Sequence, residues 1–101
     1  MLNEKQHSII KKHLEKLEYS LNEIFEILES LPMTTKDFLF QMQEVFELID
    51  EVKKSIIVLE SKVTTSDNEF LNRVMNMEKA LEEYDLVRLY QLVLDLWEYV
   101  N

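Results

Sequence analysis

Apolar residues recur along the first two thirds of the chain in two stripes whose steps alternate between four and three. This spacing keeps side chains on one face of a helix, whereas a strand would require alternation at every second position. The pattern predicts two long helices, over about 3–31 and 34–63. Their stripes are Ile10, Leu14, Leu17, Leu21, Ile24, Leu28 and Leu31, and then Phe38, Met42, Val45, Ile49, Val52, Ile56, Leu59 and Val63.

The boundary between these helices is marked by Pro32. Proline cannot continue a helix interior and restricts the residue before it, so the first helix is expected to stop near Ser30. Thr34 lies three residues before Asp37, a spacing that resembles a capping box. These signals predict a turn at Pro32 and a second helix that begins near Thr34.

In the last third of the chain, the apolar residues form two stripes that are out of phase with each other. One includes Phe70, Val74, Met77, Leu81 and Tyr84, and the next includes Leu86, Tyr90, Val93, Trp97 and Val100. A continuous helix over about 67–100 would absorb the slip as a stutter, whereas a turn would use Asp85 as the N-cap of a short fourth helix. No glycine or proline marks a stop, and we therefore expect the continuous helix. The predicted fold is an all-α antiparallel bundle of three long helices, with a third helix broken near Tyr84–Asp85 as the four-helix alternative.

Aromatic residues outside the stripes also favour a continuous third helix. Phe25, Phe40 and Phe46 cluster near the predicted turn at Pro32, and this end of the bundle needs extra covering. A continuous third helix would place its C-terminal half beside residues 30–40. Two short helices would instead leave much of the aromatic end bare, unless a second chain covered it.

Composition sets limits that agree with a helical bundle. The 101 residues suffice for one domain with a modest core, and they include no glycine, one proline and no cysteine. Tight hairpins and glycine-rich phosphate loops are therefore not expected. Disulfides, thiolate metal sites and cysteine nucleophiles are excluded. The sequence predicts a single helical-bundle domain over residues 1–101.

The charge balance restricts the partners. A formal net charge of −9 repels nucleic acid and anionic lipid, so neither is an expected partner. No apolar run reaches the roughly 18 residues of a membrane span. Residues 1–16 carry four lysines and no apolar core stretch, so no signal peptide is recognised. We expect a cytoplasmic protein.

Few residues are suited to catalysis or metal binding. His7 and His13 lie six residues apart, about 240° around a helix, and so cannot ligate one metal from the same face. Glu4 and His7 match a Glu-x-x-His spacing of four-helix di-iron sites, but those sites require a second such motif. We therefore expect no metal, no cofactor and no enzymatic activity.

The C-terminal segment has more apolar surface than one core face requires. Eleven of the fifteen residues in 86–100 are apolar, which indicates a further contact. The sequence therefore predicts a non-catalytic interaction module that binds an amphipathic helix of a partner protein, and self-assembly as a homodimer is the alternative. The candidate partner-binding residues are Phe40, Phe46, Tyr90, Leu94, Trp97 and Tyr99.

The segment 80–89, Ala-Leu-Glu-Glu-Tyr-Asp-Leu-Val-Arg-Leu, resembles a pattern of small acidic bacterial helical chaperones of the flagellar and type III secretion kind. That pattern is Ala-Leu-x-x-x-Asp, then an aromatic residue or leucine, then x-x-Leu. The similarity extends over residues 80–94 at most. The resemblance implies a short, cysteine-poor helical protein that binds a helix of its partner. It also implies that Asp85 opens a new helix, as in the four-helix alternative.

Overall fold

Four α-helices make up the computed structural model, which describes residues 2–31 and 34–101. Pro32 and Met33, where the first turn was predicted, lie outside the described residues. The all-α prediction is confirmed, and the first helix ends close to the predicted Ser30. The helices are α1 (Glu4–Glu29), α2 (Thr35–Ser61), α3 (Asn68–Glu82) and α4 (Leu86–Val100).

Each helix begins at a residue whose side chain accepts a hydrogen bond from the backbone N–H three positions ahead. This bond satisfies one of the donors that a helix start leaves without an intrahelical acceptor. At the start of α1 the bond is reciprocal, because the Gln6 side chain also accepts from the Asn3 backbone N–H at 2.9 Å. The N-cap residues are Asn3, Thr34, Asp67 and Asp85.

The helix predicted over 67–100 is broken at Tyr84, so the continuous helix is wrong and the four-helix alternative is correct. Tyr84 has φ of 55°, in the left-handed region. The N–H groups of Tyr84 and Asp85 donate to the carbonyls of Leu81 and Ala80, both at 2.9 Å, which is the Schellman pattern of a helix end. The Asp85 carboxylate then caps α4 by accepting from the Arg88 N–H at 3.1 Å. The two caps together allow the chain to break here without a glycine or proline.

Tyr84→Gly is expected to raise the free energy of unfolding by about 0.5–1 kcal/mol. Glycine adopts positive φ without the steric cost that a Cβ imposes there, and this gain exceeds the added backbone entropy of the unfolded chain. Urea unfolding followed by circular dichroism measures the change. In a continuous helix the same substitution would destabilise by about 1 kcal/mol, so a loss of stability would contradict the break. Tyr84→Ala keeps the Cβ and is the control that should show no such gain.

The helices pack in a ring in which each contacts its neighbours in the chain and α4 returns to α1. The buried face of α4 begins at Leu89 and not at Leu86, while Tyr90 and Trp97 of the expected phase are only half-buried. The core consists of Ile10, Leu14, Leu17, Leu21 and Ile24 of α1, Val45, Val52, Ile56 and Leu59 of α2, Phe70, Val74, Met77 and Ala80 of α3, Leu89, Val93, Leu96 and Val100 of α4, and Val63 of the α2–α3 connection.

The two pairs of helices differ in length. The 15 residues of α3 and of α4 correspond to about 22 Å, whereas the 26 and 27 residues of α1 and α2 correspond to about 40 Å. The short pair therefore covers only part of the long pair. The molecule is correspondingly elongated, with extents of 51 × 22 × 21 Å.

The exposed fractions of residues along the stripes show which part of α1 and α2 is not covered by α3 and α4. Ile24 is 0% exposed, but Leu28 on the same stripe is 40% exposed, and Leu31 and Phe38 are each 37% exposed. We call this part of the bundle, residues 25–31 and 34–40 together with the α3–α4 turn at 83–87, the open end. Two short helices were expected to leave this end bare, and they do.

Candidate functional site

A groove lies between α1 and α4 at the open end. Its apolar lining comes from Phe25 and Leu28 of α1 and from Val87 and Tyr90 of α4. Leu28 and Val87 are 40% and 63% exposed, so the groove is open to a partner. The polar residues along it are Asn22, Glu26, Glu29 and Gln91. We call this feature the α1–α4 groove.

The base of the groove is an aromatic pair. The rings of Phe25 and Tyr90 meet edge to face, with centroids 5.9 Å apart and an interplanar angle of 82°. This geometry is favourable for two aromatic rings and holds both side chains in place. Both residues are half-buried and line the groove, so each ring supports the fold and is also accessible to a partner. Ordered aromatic side chains of this kind are typical anchors of protein interfaces.

The apolar wall on α4 continues beyond the aromatic pair. Val87, Tyr90 and Leu94 follow one another at steps of three and four, so they share one face of the helix. Leu94 is 40% exposed. The strip spans about 10 Å, or two helical turns. Two of the residues predicted to bind a partner, Tyr90 and Leu94, therefore lie on this wall.

Phe40 and Phe46 do not join the groove. They are 65% and 63% exposed on α2 and lie at two different surface depressions. Phe40 lines one with Leu39, and Phe46 lines the other with Tyr19, across the α1–α2 pair. The sequence predicted one surface that contains these residues and the C-terminal aromatic residues, but the fold separates them.

Tyr99 lies at the opposite end of the bundle, where α4 ends beside the start of α3. Its hydroxyl donates to the Asp67 carboxylate, with both oxygens at 2.7 Å. This hydrogen bond lowers the pKa of Asp67 and raises the pKa of the Tyr99 hydroxyl. The Arg73 guanidinium also lies 4.9 Å from the centre of the Tyr99 ring. These contacts attach the end of α4 to the start of α3.

Trp97 is half-buried against the core. Its indole Nε1 is buried and has no hydrogen-bond partner among the described residues. A buried N–H without an acceptor costs free energy, so the position of the ring is determined by its apolar contacts. Trp97 therefore serves the packing of α4.

Sequence reasoning missed Leu28 and Val87 as groove residues. Leu28 continues the α1 stripe without a break, and this pattern predicts a buried position. Val87 lies off the expected α4 phase and was counted only within the apolar excess of residues 86–100. The available signal was that excess together with the position of Leu28 near the end of its stripe.

Residues that could bind a metal or act in catalysis do not cluster in the described structure. Over residues 2–31 and 34–101 no three histidine, aspartate or glutamate side chains converge into a metal site. Burial, and then the charges of Lys16 and Lys12, lower the pKa of His13. His13 lies on α1, outside the residues that line the groove. None of the described helices combines the length and the apolar character that a membrane crossing requires.

Comparisons with protein-family models, with curated proteins and with solved structures found no match to this chain. Its function is therefore inferred from the groove and its surroundings.

Proposed function

We propose that this chain is a non-catalytic protein-interaction module whose α1–α4 groove binds the apolar face of an amphipathic helix of a partner protein. The observation that carries the proposal is the change in burial along one stripe. Ile24 is fully buried, whereas Leu28, one turn further along α1, is 40% exposed and lines the groove with Val87. The α1 stripe therefore continues, with the same spacing, beyond the part that other helices of the chain cover. Such an exposed apolar strip is suited to contact with another helix.

The shape of the groove favours a helix as the occupant. Its walls are two packed helices, and a third helix can place its side-chain ridges between them as helices do in bundles. The strip from Val87 to Leu94 matches the spacing with which an amphipathic helix presents successive anchors at i, i+3 or i+4, and i+7. The Phe25–Tyr90 pair supplies the aromatic contact at the base.

The double substitution Leu28→Ser with Val87→Ser is expected to weaken binding of an amphipathic peptide at least about tenfold while leaving the fold intact, since both side chains are partly exposed. The probe is a neutral helix of about 18 residues labelled with a zwitterionic rhodamine, with leucines at steps of three and four and glutamine elsewhere. Fluorescence anisotropy with the full chain gives the dissociation constant. Circular dichroism of the variant checks the helix content.

The matched control is Ile57→Ser with Met75→Ser. These residues are 48% and 63% exposed, close to the 40% and 63% of Leu28 and Val87, but they lie outside the groove. The control should bind the peptide within about twofold of the unsubstituted chain. Equal weakening of both variants, or binding that the Leu28 and Val87 substitutions do not weaken, would contradict the proposal.

The homodimer alternative is tested with the same variants. Light scattering over a hundredfold concentration range should give the mass of one chain throughout. A dimer that dissociates on substitution of Leu28 and Val87, but not of Ile57 and Met75, would assign the groove to a second copy and overturn the proposal.

A further inference from the structure

The surroundings of the groove are strongly acidic. Residues 25–31 and 34–40 contain three carboxylates and one lysine, and residues 83–87 contain two carboxylates and no basic residue. These residues make up the open end, so acidic side chains are in excess there. Together they hold a formal charge of −4 out of the −9 of the whole chain.

Two of these carboxylates lie on the groove itself. Glu26 and Glu29 are among its lining residues, whereas no lysine or arginine is. Both glutamates are exposed, and no carboxylate of theirs takes part in an ion pair with a described residue. The described ion pairs instead involve Asp50, Glu51 and Glu69, which lie outside the groove.

We infer that the occupant of the α1–α4 groove is a basic amphipathic helix, whose lysines or arginines flank its apolar face and pair with Glu26 and Glu29. This inference rests on the proposed function and adds the charge of the partner to it. An acidic or neutral helix would leave both carboxylates without compensation at the edge of an apolar contact, where a charge is less well solvated.

The same charges oppose a second copy as the occupant. A symmetric dimer through this groove would bring two surfaces of formal charge −4 together, and like charges at an interface are unfavourable. The basic residues of the chain are concentrated elsewhere, with four lysines in residues 1–16. That segment opens α1, at the end away from the groove. A separate basic chain satisfies the groove without this conflict.

The experiment compares two peptides with the full chain. Both are helices of about 18 residues with the same leucine stripe, flanked by lysines in one and by glutamates in the other, and matched in helix content by circular dichroism. The lysine peptide is expected to bind about tenfold more tightly at low salt. This preference should vanish between about 0.01 M and 1 M salt, since the Debye length falls from about 30 Å to about 3 Å.

A pair of variants distinguishes the effect of the groove carboxylates from the effect of the net charge of the chain. Glu26→Gln with Glu29→Gln removes the groove carboxylates, while Glu60→Gln with Glu98→Gln removes two exposed charges outside the lining residues. Neutralising glutamates near the C-terminal end of α1 is compatible with folding because that end of a helix disfavours negative charge. Only the first variant should reduce the preference for the lysine peptide, by about threefold to fivefold.

The outcomes are distinguishable. Equal affinity for the two peptides would overturn the inference and leave the helix-binding proposal standing. Equal effects of the two variants would also overturn it, because attraction by the overall charge would then explain the preference. Binding of neither peptide would remove the proposed function, and the inference with it.

Discussion

Phe70→Ala is expected to lower the free energy of unfolding by about 3–5 kcal/mol, because it removes a large buried side chain and leaves a cavity. Phe70 is 0% exposed and lies in the first turn of α3, where it packs within the common core. For a domain of 101 residues this loss corresponds to a melting temperature lower by on the order of 20 °C. Urea and thermal unfolding followed by circular dichroism measure both quantities.

The control for Phe70→Ala is Phe40→Ala. Phe40 is 65% exposed, so its truncation should change the free energy of unfolding by less than about 0.5 kcal/mol. The same chemical change thus tests burial alone. A similar loss of stability in the two variants would mean that Phe40 is covered, either within the chain or by a second copy.

The stripes predicted the helices well where one physical effect dominates. Burial of one apolar face determines α1 and α2, and their steps of four and three are visible in the sequence without any knowledge of neighbours. Capping side chains near the predicted boundaries then fixed the starts at Thr34 and Asp67. These elements could be predicted because periodicity and capping agree.

The break at Tyr84 was predicted only as the alternative to a continuous helix, because the competing effects are small and nearly balanced. A continuous helix would avoid the left-handed backbone of Tyr84. That conformation costs about 1–2 kcal/mol for a residue with a Cβ. Breaking the helix gains the Asp85 cap, worth about 1 kcal/mol, and allows α4 to fold back onto α1. That tertiary contact decides the result, and local sequence reasoning could not weigh it.

The predicted partner-binding surface depended on the same prediction of a continuous third helix. The six predicted residues formed one surface only if a continuous helix carried Tyr90, Leu94 and Trp97 towards residues 30–40. The turn at Tyr84 reverses the chain, so the end of α4 lies beside Asp67 instead. Tyr90 and Leu94 remain near the open end because they are close to the turn. The exposure of Leu28 depends on the lengths of the helices that cover its stripe, and its position near the end of the stripe is only an indirect sign of this.

Trp97→Ala is expected to lower the free energy of unfolding by about 2–4 kcal/mol, somewhat less than a fully buried aromatic residue would, because Trp97 is half-buried against the core. Chemical unfolding of the variant measures this loss. The hypothesis from sequence, in which Trp97 contacts a partner, instead requires weaker peptide binding with unchanged stability. An unaltered unfolding midpoint would therefore return Trp97 to the partner-binding surface.

Trp97→Phe separates packing from hydrogen bonding at the same position. The indole Nε1 is buried and has no acceptor among the described residues, so its removal relieves an unfavourable buried donor while the smaller ring loses some contacts. The two effects oppose each other, and a net change within about 1 kcal/mol is expected. A loss as large as that of Trp97→Ala would mean that the N–H is satisfied in solution. If the alanine variant alone is destabilised, the ring holds α4 against the core, and the exposed strip from Val87 to Leu94 remains the part of α4 open to a partner.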